Sequence, residues 1–296
     1  MALSPTGDAR PPPIITSAGA LLARYDVLYC DVWGVVHDGV RAYTAAVDAL
    51  MRFRARGGTV VLLTNAPVPI HRVEAMLEAR HVPPDAYDTI VSSGEIALAH
   101  IRDKDYRAAH FIGPRSRDAA FFERATARDA PLEAAEAVVC TGLVDDVNET
   151  VESYRDLLHR AHALELPFVC ANPDLVVDVG GKLFLCAGAL ADAYVQIGGT
   201  VFWAGKPHAS AYIAARAAAE KIRHAEVPSE KILVIGDAVR TDLAGAQGAG
   251  HDALFIAGGI HRHETMTGDT LDLDKLAKLF PRGTPSALGA MGGLAW

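Results

Sequence analysis

The chain has 296 residues, half of them hydrophobic, which is enough apolar material to bury the core of one large domain or two smaller ones. Acidic residues outnumber basic ones by 36 to 28, for a net charge of −8, and no lysine and arginine cluster is long enough to follow a nucleic-acid backbone. No stretch approaches the ~20 apolar residues of a membrane span, and the first residues do not read as a signal peptide. We therefore expect a cytoplasmic protein that binds neither a nucleic-acid polymer nor a membrane.

The cysteine pattern argues against both a disulfide framework and a metal cluster. The four cysteines, Cys30, Cys140, Cys170 and Cys186, are widely spaced, and no two of them form a C-x-x-C pair. Three of them close apolar runs, such as AEAVVC and LPFVC. We expect buried free thiols.

The chain alternates predicted strands and helices between two ends that we expect to be loosely ordered. Residues 1–13 and 281–296 are rich in proline, glycine, alanine and serine without sustained periodicity. Helical periodicity predicts helices at about 43–56, 70–80, 95–104, 148–164, 208–224 and 241–249. Apolar runs predict strands in DVLYCD, GTVVLLTN, DTIVSSG, AHFIG, EAVVCTG, LPFVCANP, TVFWAGKP, KILVIGD and DALFIAGG. Runs that are apolar on both faces are typical of parallel strands covered by helices, so the predicted fold class is α/β.

Reactive residues stand at the ends of four predicted strands, where ligands gather in open parallel sheets. Asp31 closes the first strand. Thr64 and Asn65 close the second, and they offer a hydroxyl, an amide and backbone N–H groups to an anion. Taken alone, each of these residues is more often a turn or helix-capping residue.

The two later strand ends supply a cation and paired acids. Lys206 lies between a glycine, which lets the backbone approach a ligand, and a proline that opens the next helix. Asp237 and Asp242 follow the strand KILVIG, where they form either a capping pair or the oxygen ligands that Mg²⁺ takes. The order of acid, hydroxyl, lysine and paired acids is far more specific than any one of its parts.

This order predicts a site for phosphoryl transfer. Asp31 would attack phosphorus, and Mg²⁺ would bridge Asp31, Asp237 and a phosphate oxygen. Thr64 and Lys206 would neutralise the equatorial oxygens, because phosphoryl transfer depends mostly on positioning and charge stabilisation.

With these residues the sequence resembles the haloacid dehalogenase superfamily, and within it subfamily IIA, which includes nucleotide and sugar phosphatases and pyridoxal phosphate phosphatase. The matching segments are DVWGVVHDG, LLTN, VSSGEIA, ANPDLVV, GKP and GDAVRTDLAGA, spread over about residues 25–260. The resemblance implies a Rossmann-like parallel-sheet core with an inserted α/β cap domain, and an aspartyl-phosphate mechanism with Asp31 as nucleophile. The implied Mg²⁺ ligands are Asp31, the backbone carbonyl of Trp33 and Asp237, with Asp242 supporting the metal or the lysine. The implied phosphate ligands are Thr64, Asn65 and Lys206.

The cap domain implied by the resemblance would lie between LLTN and GKP. We expect the core at residues 15–85 and 187–280 and the cap at 86–186, a length sufficient for a compact α/β domain. In this subfamily the segment from Asn172 to Asp174 lies on the cap side and faces the substrate, although Asn-Pro-Asp is also a good turn sequence anywhere. Caps of this subfamily often dimerise, so a homodimer is one possible assembly.

The sequence departs from the family pattern at Trp33. Family phosphatases carry a second aspartate there, which protonates the leaving alcohol and then activates water. Indole has one N–H donor and does not titrate, so it cannot move protons. Loss of a positioned acid/base typically costs ~10²–10⁴ in rate.

Several interpretations of this departure are open. His37, Asp38 or His208 supplies the proton, or the enzyme hydrolyses only acyl or aryl phosphates, whose leaving groups need none. Alternatively, the fold has kept its phosphate pocket and lost turnover. Carbon–halogen cleavage, which dispenses with Mg²⁺, is disfavoured by the intact GD and TD acids, and Trp33 could also form an aromatic wall against a planar substrate.

The predicted function is a Mg²⁺-dependent phosphohydrolase that acts on a small phosphorylated metabolite, such as a sugar phosphate or a nucleotide. The alternative is a slow or inactive phosphate-binding member of the same fold. Position 33 is the feature that separates the two.

Overall fold

The structure, a computed structural model of the chain, describes residues 11–179 and 182–296. Each strand that the apolar runs predict is present. The strands in chain order are β1 (Val27–Cys30), β2 (Thr59–Thr64), β3 (Thr89–Ser92), β4 (Ala108–Ile112), β5 (Arg128–Asp129), β6 (Ala137–Cys140), β7 (Phe168–Cys170), β8 (Val176–Val179), β9 (Lys182–Leu185), β10 (Val201–Trp203), β11 (Ile232–Gly236), β12 (Asp252–Ile256), β13 (Met266–Thr267), β14 (Thr270–Leu271) and β15 (Gly289–Met291).

The helices alternate with these strands. In chain order they are α1 (Gly19–Leu22), α2 (Thr44–Ala55), α3 (Ile70–Glu78), α4 (Ser93–Asp103), α5 (Ala119–Arg124), α6 (Arg155–Ala163), α7 (Ala187–Gln196), α8 (Ala209–Arg223), α9 (Ala244–Ala249), α10 (Arg262–Thr265) and α11 (Leu273–Leu279). The helix predicted at 148–164 begins later, because Thr150 caps a 3₁₀ turn that precedes α6. Within the described residues no helix is both long and apolar enough to cross a bilayer.

Six strands form the core sheet, in the order β15-β12-β11-β1-β2-β3, with every neighbouring pair parallel. Both β1 and β2 are buried along their whole length, as a sheet covered on both faces requires. Leu28 and Cys30 pack with residues of α2 and α3 on one face, and Val27 and Tyr29 pack with α8 on the other. The predicted α/β class with a parallel core is confirmed.

The order of the core strands reverses between β1 and β11. From β1 the chain moves outward through β2 and β3, enters the inserted domain, and returns beside β1 as β11. Ligands of open α/β sheets bind outside the carboxyl ends of the strands at such a point. Asp31 and Asp237 directly follow β1 and β11, so the topology alone brings these two acids together.

The inserted domain has its own parallel sheet, in the order β10-β7-β6-β4-β5. Apolar residues of α4 and α5 cover one face of this sheet, and apolar residues of α6 and α7 cover the other. A separate antiparallel hairpin, β8 and β9, leaves the end of β7 and pairs Val176 with Leu185. An α/β cap domain is therefore present.

The predicted domain boundaries at residues 86 and 186 do not match the strand pairing. β3 belongs to the core sheet, where Ser92 pairs with Thr64, and β10 belongs to the cap sheet, where Trp203 pairs with Cys170. The insertion therefore runs from α4 through β10. Short apolar runs do not indicate their sheet, because membership is set by pairing between distant segments.

The prediction of a loosely ordered carboxyl-terminal end, residues 281–296, is wrong. β15 pairs in parallel with β12, and Leu294 is buried in the core. The segment was missed because three residues with a neighbouring glycine are too few to show a period. At the other end, residues 1–10 lie outside the described residues, whereas the carbonyl of Pro13 accepts a hydrogen bond from the backbone N–H of Ala290.

The cysteines are buried free thiols, as expected. Cys30, Cys140 and Cys170 are fully buried at the carboxyl ends of β1, β6 and β7, and Cys186 is buried just before α7. Burial raises the pKa of each thiol. Raised pKa values disfavour the thiolate, so none of the four is positioned as a nucleophile.

Candidate active site

The strand ends singled out in the sequence meet at the switch point of the core sheet. Lys206, which follows β10 of the cap sheet, contacts both Asp31 at the end of β1 and Asp242 in the turn before α9. An oxygen each from Asp31, Asp237 and Asp242 lies within 4.8 Å of the others. Residues that are far apart in the sequence thus form one cluster.

The ammonium group of Lys206 is buried between two carboxylates. Its Nζ lies 2.7 Å from Asp31 Oδ1 and 2.7 Å from Asp242 Oδ1, and the side chain is 2 % exposed. Burial opposes the charge, but the two carboxylates outweigh it and hold the pKa of Lys206 well above its usual value. The lysine is therefore a fixed cation beside the predicted nucleophile.

The carboxylates of the cluster carry more negative charge than one lysine balances. Burial raises the pKa of Asp31 to about 7, with Lys206 opposing the shift and Asp242 adding to it. Burial, together with the charges of Asp31 and Asp242, also raises the pKa of Asp237 well above its usual value. Repulsion among buried carboxylates is relieved by a divalent cation.

The cluster fits Mg²⁺, a hard cation that takes carboxylate and carbonyl oxygens. Asp31 and Asp237 directly follow the adjacent strands β1 and β11, and Oδ2 of Asp237 accepts a hydrogen bond of 2.6 Å from the backbone N–H of Ile260. A Cβ at Gly34 or Gly259 would lie about 2 Å from this same oxygen, so two backbone segments pack directly on the carboxylate. Asp31 and Asp237 would hold the ion, and the backbone carbonyl of Trp33 remains a predicted ligand.

Asp242 faces the lysine. Its Oδ1 accepts from Lys206, and its Oδ2 accepts from the backbone N–H of Ala238 at 3.1 Å. Both of its oxygens are therefore engaged by donors of the protein. Of the two roles that the resemblance implies for Asp242, these contacts favour support of the lysine.

Thr64 and Asn65 lie at the end of β2, and Asn65 also fastens the cap to the core. Thr64 is buried, and its hydroxyl accepts from the backbone of Ala66. The amide nitrogen of Asn65 donates to Asp174 Oδ1 at 2.9 Å and to the carbonyl of Lys206 at 3.0 Å, while its oxygen accepts from the backbone N–H of Lys206 at 2.8 Å. The amide of Asn65 thus holds together Asp174 of the cap and the backbone of Lys206, where the chain returns from the cap to the core. Phosphate binding by Thr64 and Asn65 remains a prediction.

The segment from Asn172 to Asp174 is a turn that also reaches the core. Asn172 Oδ1 accepts from the backbone N–H of Asp174, which fixes an Asx turn, and Asp174 then accepts from Asn65. Asp174 is partly exposed, and burial raises its pKa. The sequence offered no signal for the contact with Asn65, because each partner has an ordinary turn sequence of its own.

The indole of Trp33 connects the loop after β1 to the cap hairpin. Its Nε1–H donates to the backbone carbonyl of Asp178 in β8 at 3.1 Å. The indole ring also makes an edge contact with the ring of His37, with 5.2 Å between the ring centroids. Gly39 packs closely against the indole. A tryptophan at this position therefore links the core and the cap, a contact for which the sequence carries no signal.

The three side chains considered as substitute proton donors have other environments. His37 is buried, burial lowers its pKa to about 4, and its Nδ1 accepts from the backbone of Gly39, so it is neutral near pH 7. Asp38 accepts from two backbone N–H groups, which outweigh burial and lower its pKa. The ring of His208 is stacked on that of Trp203, with 4.7 Å between the ring centroids, and burial lowers the pKa of His208. None of the three is suited to donate a proton at neutral pH.

Comparison with known proteins places the chain in a family. A model described as haloacid dehalogenase-like hydrolase matches residues 28–125, and one described as HAD-hydrolase-like matches residues 203–278. The two matches include the strand ends that carry Asp31, Thr64, Lys206 and Asp237.

Individual relatives extend this similarity over most of the chain. The ribonucleotide monophosphatase NagD of Escherichia coli is 28% identical over 237 residues, which cover 78% of this chain and 87% of NagD. A glycerol phosphate phosphatase of Mycobacterium tuberculosis, solved in complex with calcium, shares the fold at a TM-score of 0.61 and 20% identity, over 88% of this chain and 78% of that one. A hydrolase of the haloacid dehalogenase-like family from Brucella suis 1330 is 40% identical at a TM-score of 0.82, over 95% of this chain and all of that one. The chain therefore belongs to the haloacid dehalogenase-like family.

Proposed function

We propose that this protein is a Mg²⁺-dependent phosphohydrolase that acts on a small phosphorylated metabolite through an aspartyl-phosphate intermediate. The observation that carries the proposal is the contact of Lys206 with Asp31 inside a cluster of three carboxylates at the switch point of a parallel sheet. The similarity to NagD, a ribonucleotide monophosphatase, and the fold shared with a glycerol phosphate phosphatase support a small phosphate ester as substrate.

The chemistry would begin at Asp31. Its carboxylate attacks phosphorus, the bond from phosphorus to the leaving oxygen breaks, and an aspartyl phosphate forms. Lys206 holds Asp31 in position and neutralises an equatorial phosphoryl oxygen, with help from the hydroxyl of Thr64. Asp31 and Asp237 would hold Mg²⁺, which would supply a further positive charge to the phosphoryl group. Water then attacks the aspartyl phosphate, releases inorganic phosphate and regenerates the carboxylate.

The cap would supply the substrate side of the site. Asn172 and Asp174 lie on the turn that meets Asn65 at the return into the core, so their side chains are candidates for contact with the substrate. The β8–β9 hairpin lies beside Trp33, which makes the indole a candidate wall of the entrance. We propose that these groups, rather than the strand ends of the core, select the leaving group.

A second function is favoured by one observation, the tryptophan at position 33. In this alternative the pocket binds phosphate but turns over slowly or not at all, because the position lacks a titratable group. The experiment that separates the two is hydrolysis of p-nitrophenyl phosphate with and without Mg²⁺, using the parent and Asp31→Asn. Mg²⁺-dependent turnover that Asp31→Asn abolishes supports the phosphohydrolase. Phosphate binding without turnover in the parent supports the alternative, and equal turnover by both proteins would remove Asp31 as nucleophile.

A further inference from the structure

We infer that Asp174, carried by the cap, donates the proton that the residue at position 33 cannot supply. The inference rests on the proposed function and assigns its missing acid/base to a residue of the Asn-Pro-Asp turn. Hydrolysis of an alkyl phosphate needs such a group, because an unprotonated alkoxide is a poor leaving group.

A short series of contacts ties Asp174 to the nucleophile. The amide nitrogen of Asn65 donates to Asp174 Oδ1 at 2.9 Å and to the carbonyl of Lys206 at 3.0 Å. The side chain of the same lysine is 2.7 Å from Asp31 Oδ1. The negative charge of Asp174 is also among those that raise the pKa of Asp31. Asp174 is therefore a cap residue that is linked to the nucleophile through Asn65 and Lys206, and its charge acts on Asp31.

The backbone around Asp174 is held firmly. Asn172 Oδ1 accepts from its N–H, and both Asn172 and Pro173 are buried. A Cβ at Gly188, in the first turn of α7, would lie 2.4 Å from the carbonyl oxygen of Asp174, so the helix packs directly on the turn. A carboxyl group held in this way is pre-organised, as a proton donor must be.

The surroundings of Asp174 favour its protonated form more than water does. Burial raises its pKa, the hydrogen bond from Asn65 and the charge of Lys206 oppose the shift, Asp242 adds to it, and Arg240 opposes it. Asp31, Cys170 and Cys186 are the other titratable groups that interact with it. The pKa of Asp174 is thus raised, whereas the pKa values of His37 and Asp38 are lowered, which leaves His37 neutral and Asp38 ionised.

The proton transfers balance over one turnover. As Asp31 attacks phosphorus, the bond to the leaving oxygen breaks, and that oxygen takes the proton of the Asp174 carboxyl to leave as an alcohol. The Asp174 carboxylate then takes a proton from water as the water oxygen attacks phosphorus. The bond between phosphorus and Asp31 breaks, inorganic phosphate departs, and both side chains return to their starting states.

The test is the substitution Asp174→Asn with two substrates of different leaving groups, glycerol phosphate and 2,4-dinitrophenyl phosphate. Asparagine keeps an oxygen to accept from Asn65, so the contact between cap and core survives while proton donation is lost. We expect hydrolysis of glycerol phosphate to fall by about 10²-fold or more, and that of the dinitrophenyl ester, whose leaving group needs no proton, to change little. Asp129→Asn, an exposed carboxylate paired with Arg115 elsewhere on the cap, is the matched control and should leave both rates unchanged.

A second variant guards against loss of folding. Adding Trp33→Asp to Asp174→Asn returns a carboxyl group to the usual family position, so glycerol phosphate hydrolysis should recover without a matching change for the dinitrophenyl ester. A general defect in folding would lower both rates and would not be reversed by a second substitution.

The outcomes separate this inference from the proposed function. If the parent with Mg²⁺ hydrolyses neither ester, the proposed function fails. If the parent hydrolyses both and Asp174→Asn leaves the rates unchanged, or lowers both equally, the phosphohydrolase stands and the role of Asp174 is refuted. Hydrolysis of the dinitrophenyl ester alone by the parent also refutes it, because no proton donor is then at work.

Discussion

The ammonium group of Lys206 lies 2.7 Å from a carboxylate oxygen of Asp31, although one residue follows a strand of the cap sheet and the other a strand of the core sheet. The segment that leads from the cap back to the core thus places the positive charge of Lys206 beside the candidate nucleophile. Asn65 fixes this return through three hydrogen bonds to Lys206 and Asp174. The position of the cap and the electrostatics of the site are consequently linked.

Replacement of Lys206 should damage both turnover and folding. Lys206→Met removes a charge from the phosphoryl site, for which we expect a loss in kcat of about 10²–10³-fold. It also leaves Asp31 and Asp242 buried without their cation, which should lower the free energy of unfolding by about 3–5 kcal/mol. Urea unfolding and steady-state kinetics measure the two effects, and Lys104→Met, at an exposed position, is the control. Wild-type stability would contradict the contribution assigned to this buried pair.

Mg²⁺ should stabilise the protein more at pH 8 than at pH 5. In the metal-free protein the pKa of Asp31 is raised from 3.8 to about 7, and that of Asp237 is raised in the same direction. A carboxyl group whose pKa is raised by folding contributes stability that is fully present below its ordinary pKa. This contribution is lost as the pH rises through the folded-state value of about 7. Mg²⁺ binds the ionised carboxylates, so its effect grows over the same range, to about 2.7 kcal/mol at 100 times its Kd.

Thermal unfolding in EDTA and in Mg²⁺ at the two pH values provides the measurement. The midpoint temperature of unfolding in EDTA should be lower at pH 8 than at pH 5. Mg²⁺ should restore the midpoint temperature that is lost at pH 8. Equal increments from Mg²⁺ at both pH values would show that the acidic cluster is not the site where the ion binds.

A side chain at position 259 should weaken metal binding. A Cβ there would lie 1.9 Å from Asp237 Oδ2, and so Gly259→Ala must displace the carboxylate. We expect the affinity for Mg²⁺ to fall about 10–100-fold, as for other changes that disturb a metal ligand. Gly248→Ala, in α9 with open space around it, should leave the affinity unchanged. Titration calorimetry with Mg²⁺ compares the two variants, and equal affinities would argue against Asp237 as a ligand.

The indole N–H of Trp33 should help to hold the cap hairpin. Trp33→Phe keeps an aromatic ring but removes the donor to the carbonyl of Asp178, a loss of about 0.5–1.5 kcal/mol. Hydrogen exchange in the segments around β8 and β9 should accelerate accordingly, while exchange in β6 and β7 should not change. Unaltered exchange in the hairpin would mean that the bond contributes nothing to its position.

The residues at the strand ends could be predicted because a parallel sheet brings its carboxyl edges together. Asp31, Lys206 and Asp237 each follow an apolar run, and the sequence alone indicated that they share one site. The pairing of β10 with the cap sheet and of β15 with the core could not be predicted, because each has only three residues and its partner is distant in sequence. The contacts of Asn65 with Asp174 and of Trp33 with Asp178 were missed for a related reason, since they depend on how the cap sits against the core.

The most direct test of the proposed function is to trap the covalent intermediate at Asp31. The protein with Mg²⁺ is mixed with a radiolabelled phosphate ester, quenched in acid within one turnover and digested, and the labelled peptide is identified. An aspartyl-phosphate mechanism predicts label on the peptide that contains Asp31, release of the label by hydroxylamine, and no label in Asp31→Asn. Turnover without label at Asp31, or label that persists in Asp31→Asn, would contradict it.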